Sequence, residues 1–186
     1  MKLLIGYATK EGHTRKIARH IADLAVDNEH AVELISLKDA DDVGLSRFDI
    51  VLLAAPIHAG RYPKALSAFA ADNAALLNDM NTALVSVSLA AAGHDSKEWR
   101  SLDQIVGDCT TATGWRPDNV KQVAGAYKPS KYDILTRFIM RKIIAAKDPK
   151  AKPGVDKEYT DWADLDAWVT DQLKFRSANT RSAMRL

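Results

Sequence analysis

Residues 9–14 form a short polar loop, Thr-Lys-Glu-Gly-His-Thr, between an apolar run and a helical pattern. The hydroxyls of Thr9 and Thr14 flank Gly12, which allows a ligand to approach the backbone closely. The first amides of the following helix would meet that ligand with the positive end of the helix dipole. The loop therefore predicts a phosphate site. It matches neither GxxxxGKS/T, the pattern of nucleotide triphosphate hydrolysis, nor GxGxxG, the pattern of dinucleotide binding.

The elements that must position this loop follow a regular alternation. Nearly continuous apolar runs, typical of strands buried on both faces of a parallel sheet, occupy Lys2–Ala8, Asp49–Ala55, Thr82–Leu89 and Val120–Tyr127. Ala31–Ser36 alternates and predicts an edge strand. Helical patterns occupy Thr14–Val26, Tyr62–Leu77, Ser96–Thr111 and Asp161–Phe175, the last with Thr160 as its N-cap. The alternation predicts an α/β fold with a doubly wound, five-stranded parallel sheet.

The length of 186 residues fits a single domain, expected over residues 1–176 with a flexible tail at 177–186. Lys10 and Glu11 interrupt the first apolar run, so neither a signal peptide nor a membrane span is expected there. The single cysteine, Cys109, forms no internal disulfide and offers no zinc site. A reducing, cytoplasmic compartment is the expectation, with no resident metal.

Charge is distributed unevenly along the chain. The formal net charge is +2, but the segment Trp115–Lys152 has ten basic and three acidic residues, a net +7, so the rest of the chain sums to −5. This asymmetry favours an anionic surface or ligand near one part of the molecule, whether membrane lipid, nucleic acid or substrate carboxylates. A solvated basic face is the alternative. Aliphatic residues rather than stacking aromatics separate the cations, which argues against a nucleic-acid partner.

The pattern Tyr7-Ala8-Thr9-x-x-Gly12-x-Thr14-x-x-x-Ala18-x-x-Ile21 resembles the phosphate-loop signature of the flavodoxin family, which binds FMN. Gly6 departs from the bulkier apolar residue usual before the aromatic. The resemblance implies that the FMN phosphate is held by Thr9, Lys10, Glu11, Gly12, His13 and Thr14. It implies that the isoalloxazine lies between two further loops, formed by Pro56, Ile57, His58, Ala59 and Gly60 and by Ser88, Leu89, Ala90, Ala91, Ala92 and Gly93.

Flavodoxins usually place an aromatic side chain against the flavin ring, and the candidates here are Tyr62, His58 and His94. The same three side chains are the candidates for moving protons near the flavin. The sequence does not decide among them. Cys109, within a helical pattern, is interpreted as a packed small residue rather than a nucleophile.

A basic insert, roughly residues 126–159, separates the last predicted strand from the last helix. Within it, residues 132–147 predict a helix that is apolar around much of its girth, with Arg137 and Arg141 along one edge and Lys142 among the apolar positions. Such a helix can lie in a membrane interface, line a pocket for a large apolar anion, or pack in the core with a basic solvent edge.

Several blocks sharpen the resemblance, and they occur in the order Gly114–Asp118, Ala124–Tyr127, Tyr132-Asp133, Arg137-Phe138 and Tyr159–Trp162. Together they resemble the family of bacterial menaquinone-dependent protoporphyrinogen IX dehydrogenases. The resemblance implies FMN-dependent oxidation of protoporphyrinogen IX to protoporphyrin IX in haem biosynthesis, on the inner face of the cell membrane, with menaquinone or ubiquinone as acceptor. Cations available for the substrate propionates or an anionic membrane surface are Arg116, Lys128, Lys131, Arg137 and Arg141.

Two other functions stay open at this point. A flavodoxin-type electron carrier would need a soluble redox partner, and the basic charge and the insert argue against it. A flavin-dependent NAD(P)H:quinone reductase would need a nicotinamide site, for which the sequence shows no separate signal. The oligomeric state is also open, a homo-oligomer being among the states the sequence allows.

Charge reversal at Arg137, Arg141 and Lys142 tests the interfacial alternative for the insert. If the basic edge of this helix meets anionic headgroups, the triple variant should be released from anionic vesicles, as measured by co-sedimentation. Unchanged vesicle binding would exclude the interfacial helix.

Overall fold

The computed structural model describes residues 1–40, 43–131, 144 and 154–183. Five parallel strands form the central sheet in the order β2-β1-β3-β4-β5, which confirms the predicted α/β class. The strands are β1 Lys2–Tyr7, β2 Ala31–Ser36, β3 Ile50–Pro56, β4 Asn81–Ser88 and β5 Asn119–Ala124. β2 is the edge strand that the alternating pattern predicts, and every residue of the central strand β3 is buried.

Helices cover both faces of the sheet. They are α1 His13–Asp27, α2 Lys64–Asp72, α3 Ala74–Asp79, α4 Ser96–Thr113 and α5 Trp162–Ala183. α1 and α5 pack over one face with Leu3 and Ile5, while α2, α3 and part of α4 pack over the other with Leu4 and Leu53. Successive residues of each strand thus serve opposite cores, which is the doubly wound arrangement.

Gly6 is explained by close packing in the centre of the sheet. A Cβ at this position would lie 2.7 Å from Leu37 Cδ2 and 2.9 Å from Leu53 Cδ2. The two leucines therefore fill the volume that a bulkier residue would occupy, which accounts for the departure from the usual flavodoxin pattern.

The prediction of one helix over Tyr62–Leu77 is wrong at both its start and its middle. Tyr62 precedes Pro63, whose ring disfavours helical geometry in the residue before it, and α2 begins only at Lys64. Asn73 then ends α2 and precedes α3, and its side-chain amide donates to the Phe69 carbonyl at 2.9 Å. The same carbonyl also accepts from the Asn73 backbone amide at 3.2 Å, and the φ of −115° at Asn73 departs from helical geometry.

The prediction of a single strand over Val120–Tyr127 is also wrong, because the chain leaves the main sheet at Gly125. Ala126–Tyr127 forms a separate strand, β6, which pairs antiparallel with β7 Lys157–Glu158. The Gly125 amide donates to the Ser88 carbonyl at 2.9 Å, and its carbonyl accepts from the Tyr159 amide at 3.0 Å. The two ends of the insert are therefore held together beside the ends of β4 and β5.

Within the predicted insert helix, only Ile144 lies among the described residues, where it is helical and buried. Arg137, Arg141 and the rest of that helix lie outside them.

The last helix is capped by a residue other than the one expected. Asp161 Oδ1 accepts from the Asp164 amide at 3.0 Å, whereas the Thr160 hydroxyl donates to the Ala124 carbonyl at 2.7 Å. Thr160 therefore ties α5 to the end of β5 and is not the N-cap. α5 continues to Ala183, beyond the predicted end at Phe175. Flexibility of residues 177–186 stays a prediction.

Two glycines of one helix give a matched stability test. Gly114 ends α4 with a φ of 76°, so Gly114→Ala should lower the free energy of unfolding by about 1 kcal/mol. Gly107 lies within α4 and has open space around it, so Gly107→Ala should raise it by about 0.5–1 kcal/mol. Urea unfolding of both variants measures the difference. Effects of the same sign would contradict the assigned end of α4.

Candidate functional site

Three loops converge at the carboxyl edge of the sheet, because β1, β3 and β4 are neighbours and run in the same direction. In parallel α/β sheets this edge is where ligands bind. The loops follow Tyr7, Pro56 and Ser88, so the three segments that the sequence singles out lie together.

The first loop turns at Gly12, whose φ of 86° lies in the left-handed region. Its amide donates to Thr9 Oγ1 at 3.0 Å, and its carbonyl accepts from the Lys16 amide at 3.1 Å, which starts α1. A Cβ at residue 12 would meet no atom within 4 Å, so backbone conformation alone requires the glycine. No side chain caps α1, and its first amides are therefore available to an anion.

The second loop is a tight turn at residues 58–61. His58 and Arg61 exchange two backbone hydrogen bonds, of 3.0 and 3.2 Å, around Ala59 and Gly60. Both central residues have positive φ, 49° and 74°, as in a type I′ turn. Alanine is strained in this region, so the turn stores about 1–2 kcal/mol at the edge of the site.

The third loop is a single 3-10 turn, Ala90–Ala92, in front of α4. Ser88 Oγ accepts from the Ala91 amide at 3.1 Å, which fixes the turn to the end of β4. Asp95 caps α4 by accepting from the amides of Lys97 and Glu98 at 2.7 and 3.2 Å. The Asp95 carboxylate thereby accepts from the first backbone amides of α4, whereas no side chain that the structure describes accepts from the first amides of α1.

The three loops enclose a cavity of about 440 Å³. Of the residues predicted to bind FMN, those that line it are Lys10, Glu11, His13, Thr14, Pro56, Ile57, His58, Ala59, Gly60, Ser88, Leu89 and Ala90. Those that do not are Thr9, Gly12, Ala91, Ala92 and Gly93. Ala92 and Gly93 line an adjoining cavity of about 290 Å³, together with His94, Ile144 and Tyr159. The binding role of each residue stays a prediction.

Sequence reasoning missed one wall of the main cavity. The additional lining residues are Val87, Glu98, Ser101, Leu102, Ile105, Gly125 and Ala126. The helical spacing of Leu102 and Ile105 marks one apolar face of α4 and was an available signal. The pairing of β6 with β7 had no comparable signal, because two-residue strands leave no periodicity to read.

A contact between a carboxylate and an imidazole joins the first loop to the second across the cavity. His58 Nε2 lies 3.3 Å from Glu11 Oε2, and the Glu11 side chain is only 16% exposed. Burial alone would raise the pKa of Glu11, but the hydrogen bond and charge of His58, with a contribution from Lys10, outweigh it and lower the pKa. Glu11 is therefore held ionised and directed at His58.

The structure separates the three aromatic candidates. Tyr62 is buried and donates from its hydroxyl to Ser86 Oγ at 2.8 Å, and burial raises its pKa to about 12. It lines neither cavity, so it is excluded both as the stacking residue and as a proton carrier. His94 lines the adjoining cavity. Only His58 lines the main cavity.

The side chain of His13 contacts the end of the insert. Its Nε2 lies 2.8 Å from Thr160 Oγ1, and its Nδ1 lies 3.5 Å from Glu158 Oε2. Lys16 Nζ donates to both oxygens of Glu158, at 2.8 and 3.1 Å, and Trp162 Nε1 donates to one of them at 2.8 Å. Glu158 thus fastens the first turn of α1 to β7 and α5. We call His13, Lys16, Glu158 and Trp162 the clamp.

Two of the predicted cations, Arg116 and Lys128, have described side chains, and they lie at opposite edges of the sheet. Lys128 follows β6, close enough to His13 for its charge to contribute to the lowered pKa of that residue. Arg116 precedes β5 and is exposed at the amino edge of the sheet, the length of a six-residue strand, roughly 20 Å, from the cavity. The role of Arg116 toward substrate propionates or an anionic membrane surface stays a prediction. The side chains of Lys131, Arg137 and Arg141 lie outside the described part.

The rest of the described chain adds little further chemistry. Cys109 is half-buried, and burial raises the pKa of its thiol, so it is a packed residue rather than a nucleophile. Residues 1–40, 43–131 and 154–183 contain no group of three or more possible metal ligands. Over the same residues, no helix has both the length and the apolar character to span a bilayer.

These features fit FMN. The uncapped start of α1 and the left-handed Gly12 provide backbone donors for a phosphate, and the volume lies within the range of cofactor pockets. Ile57, Leu89 and Leu102 provide apolar walls for a flat ring. The Glu11 carboxylate lies against the His58 ring, with Oε2 at 3.3 Å from Nε2.

Comparison with known proteins agrees with this geometry. Residues 4–153 match a family model described as flavodoxin domain. A protein of Escherichia coli named "Protoporphyrinogen IX dehydrogenase [quinone]" is 27% identical over 162 residues, which cover 87% of this chain and 89% of that protein. A protein of Leishmania major with the same name is 27% identical over 171 residues, which cover 91% of this chain and 74% of that protein.

Solved structures similar to this chain include two flavodoxins. The oxidised flavodoxin of Bacillus cereus has a TM-score of 0.47 and 21% identity, covering 67% of this chain and 85% of that chain. A mutant flavodoxin of Pseudomonas aeruginosa has a TM-score of 0.49 and 13% identity, covering 78% and 95%.

The clamp makes stability depend on pH. Burial lowers the pKa of His13 below its ordinary value of 6.5, against the opposing charge of Glu158 and with help from Lys128 and Lys16. The unfolded chain therefore binds this proton more readily, and stability falls as pH drops below about 6.5. When the pH is lowered from about 7.5 to about 5, the free energy of unfolding should fall less in His13→Gln than in the wild type. Urea unfolding of both proteins across this pH range measures the difference. An equal fall in both proteins would contradict the prediction.

Proposed function

Since the chain belongs to the flavodoxin family, we propose that it is an FMN-dependent oxidoreductase that converts protoporphyrinogen IX to protoporphyrin IX with a quinone as acceptor. The observation that carries the proposal is the extent of the similarity to the two dehydrogenases. The match to the Escherichia coli protein leaves 24 of 186 residues uncovered, fewer than the 34 residues of the insert at 126–159. The similarity therefore includes part of the insert, which a minimal electron carrier does not need.

The phosphate of FMN would be held by the loop at residues 10–14, through its backbone amides. Thr9 Oγ1 accepts from the Gly12 amide, which leaves the hydroxyl hydrogen of Thr9 to donate to the phosphate. The isoalloxazine would lie between the turn at residues 58–61 and the loop Leu89–Ala90. When bound, FMN supplies two-electron chemistry, accepting electrons from an organic substrate and passing them to a quinone.

Around that cofactor, this chain would supply binding and shape. Ile57, Leu89 and Ile105 give apolar contact for a macrocycle or a quinone, and they exclude water from the reacting atoms. The adjoining cavity extends this volume toward the insert through Leu89 and Glu98, which line both cavities. Lys128, Lys131, Arg137 and Arg141 are the cations on the insert that would pair with the propionates.

Menaquinone or ubiquinone as acceptor and a place in haem biosynthesis follow from the same proposal. Both quinones and tetrapyrroles partition into lipid, so we place the protein in the cytoplasm, peripheral to the inner face of the cell membrane. The net charge of +7 over Trp115–Lys152 supports attraction to anionic headgroups. A peripheral membrane contact needs no spanning helix. The described residues contain no helix able to span a bilayer, which is compatible with this location.

An anaerobic assay tests the proposed activity. The FMN-loaded protein, incubated with protoporphyrinogen IX and a menaquinone analogue, should produce protoporphyrin fluorescence that depends on the quinone. A parallel sample with NAD(P)H in place of porphyrinogen should leave the flavin oxidised. Bleaching by NAD(P)H without porphyrin oxidation would identify a quinone reductase instead, and inertness to both would favour an electron carrier.

Gly12→Ala tests whether the first loop holds the FMN phosphate. The left-handed φ of Gly12 makes alanine unfavourable by about 1–2 kcal/mol, and relief of that strain would displace the loop amides. FMN affinity should fall about tenfold or more, measured by quenching of flavin fluorescence, since 1.4 kcal/mol is a factor of ten. Gly114→Ala is the matched control, with a similar φ at the opposite edge of the sheet, and should keep wild-type affinity. Equal affinity in both variants would contradict the assignment.

A further inference from the structure

The contact between Glu11 and His58 joins two loops. It involves Nε2 of the His58 ring and leaves the other ring nitrogen, Nδ1, outside the contact. His58 Nε2 is buried and faces Glu11 Oε2 at 3.3 Å, while the His58 side chain as a whole is 40% exposed. The exposed part of the ring is therefore not the Nε2 atom. A hydrogen on Nε2, the ring nitrogen nearer the Glu11 carboxylate, would leave the lone pair of the neutral imidazole on Nδ1. A carboxylate behind an imidazole is an arrangement for accepting a proton at the other nitrogen.

Other titratable side chains near the cavity are less suited to this role. His13 is held in the clamp by Thr160 and Glu158, and Tyr62 is buried against Ser86. The charged groups around His58 are Glu11 and Lys10 from the first loop, Glu98 from α4, and Arg61 in its own turn. Among these, Glu11 is the group at ion-pair distance from the His58 ring.

We infer that His58 carries the proton of each oxidation step and that Glu11 is the positioning residue that orients its ring. The inference rests on the proposed function. His58 would thereby be a catalytic residue, and the turn at residues 58–61 would fix where the proton is accepted. The strained φ of Ala59 is consistent with a ring held in one orientation.

The reaction balances through this residue. Over three two-electron oxidations, protoporphyrinogen IX loses four bridge C–H hydrogens and two N–H hydrogens, and double bonds form in the macrocycle. Three C–H hydrogens leave with their electron pairs, one in each step, and the fourth C–H hydrogen and the two N–H hydrogens leave as protons. The quinone is the oxidant and becomes a quinol by gaining the electron pair with its hydrogen, plus one proton. His58 Nδ1 would accept the proton released in each step and later release it to the quinone oxygen. No other co-reactant is needed.

The first test compares His58→Gln and Glu11→Gln with His30→Gln, a control in the α1–β2 turn at the opposite edge of the sheet. Flavin bleaching by protoporphyrinogen IX is followed under anaerobic single-turnover conditions. His58→Gln should slow it by about 10²-fold or more, the usual contribution of a general base, and Glu11→Gln by about tenfold. The wild-type rate should depend on pH, and this dependence should be absent in His58→Gln. His30→Gln should keep the wild-type rate and pH profile.

Two further measurements separate proton transfer from a structural role. Added imidazole should restore bleaching in His58→Ala, with every variant assayed at saturating FMN so that a change in FMN affinity is separated from a change in rate. Without any cofactor, a carboxylate NMR titration should show a higher pKa for Glu11 in His58→Gln, because His58 contributes to lowering it.

The outcomes distinguish this inference from the proposed function. If protoporphyrinogen IX does not bleach the wild type, both fail together. If the wild type is bleached but His58→Gln keeps its rate and pH profile, only the inference fails. Parallel loss of FMN affinity and rate, without rescue by imidazole, would show that His58 holds the cofactor and would also overturn it.

Discussion

The left-handed turn at Gly12 and the uncapped helix behind it are the constraint on which the site depends. A parallel sheet brings the loops after β1, β3 and β4 to one edge, but only the first loop leaves helix amides for an anion. The start of α4, at the same edge, is satisfied by Asp95. In the proposed function, the phosphate of FMN would therefore lie at the first loop, and its ring would lie between the other two loops.

The insert is coupled to that location through the clamp. Glu158 gathers Lys16, Trp162 and His13 at the point where the insert returns to α5. Gly125 and Tyr159 bring the two ends of the insert beside β4. The first turn of α1 is thus supported from behind by the segment that distinguishes this chain from a minimal flavodoxin. A change in the insert can consequently reach the phosphate loop through a few hydrogen bonds.

The sequence was sufficient for the elements that carry strong periodicity. Apolar spacing and the first loop predict all five strands of the sheet, the edge position of β2 and the helices α1 and α4. The other element boundaries depend on local hydrogen bonds and backbone geometry at single residues. Asn73 separates α2 from α3, and the chain leaves the main sheet at Gly125. Sequence also could not show that Tyr62 faces the core or that Arg116 lies at the far edge, because both depend on tertiary packing.

Amide NMR during titration with FMN shows whether this edge of the sheet is a flavin site. We expect saturable shifts that are largest at residues 10–14, with smaller shifts at 58–60 and 88–90. The amides around Arg116, at the opposite edge, should not move. Shifts centred at that opposite edge, or no saturable binding of FMN, would contradict the account.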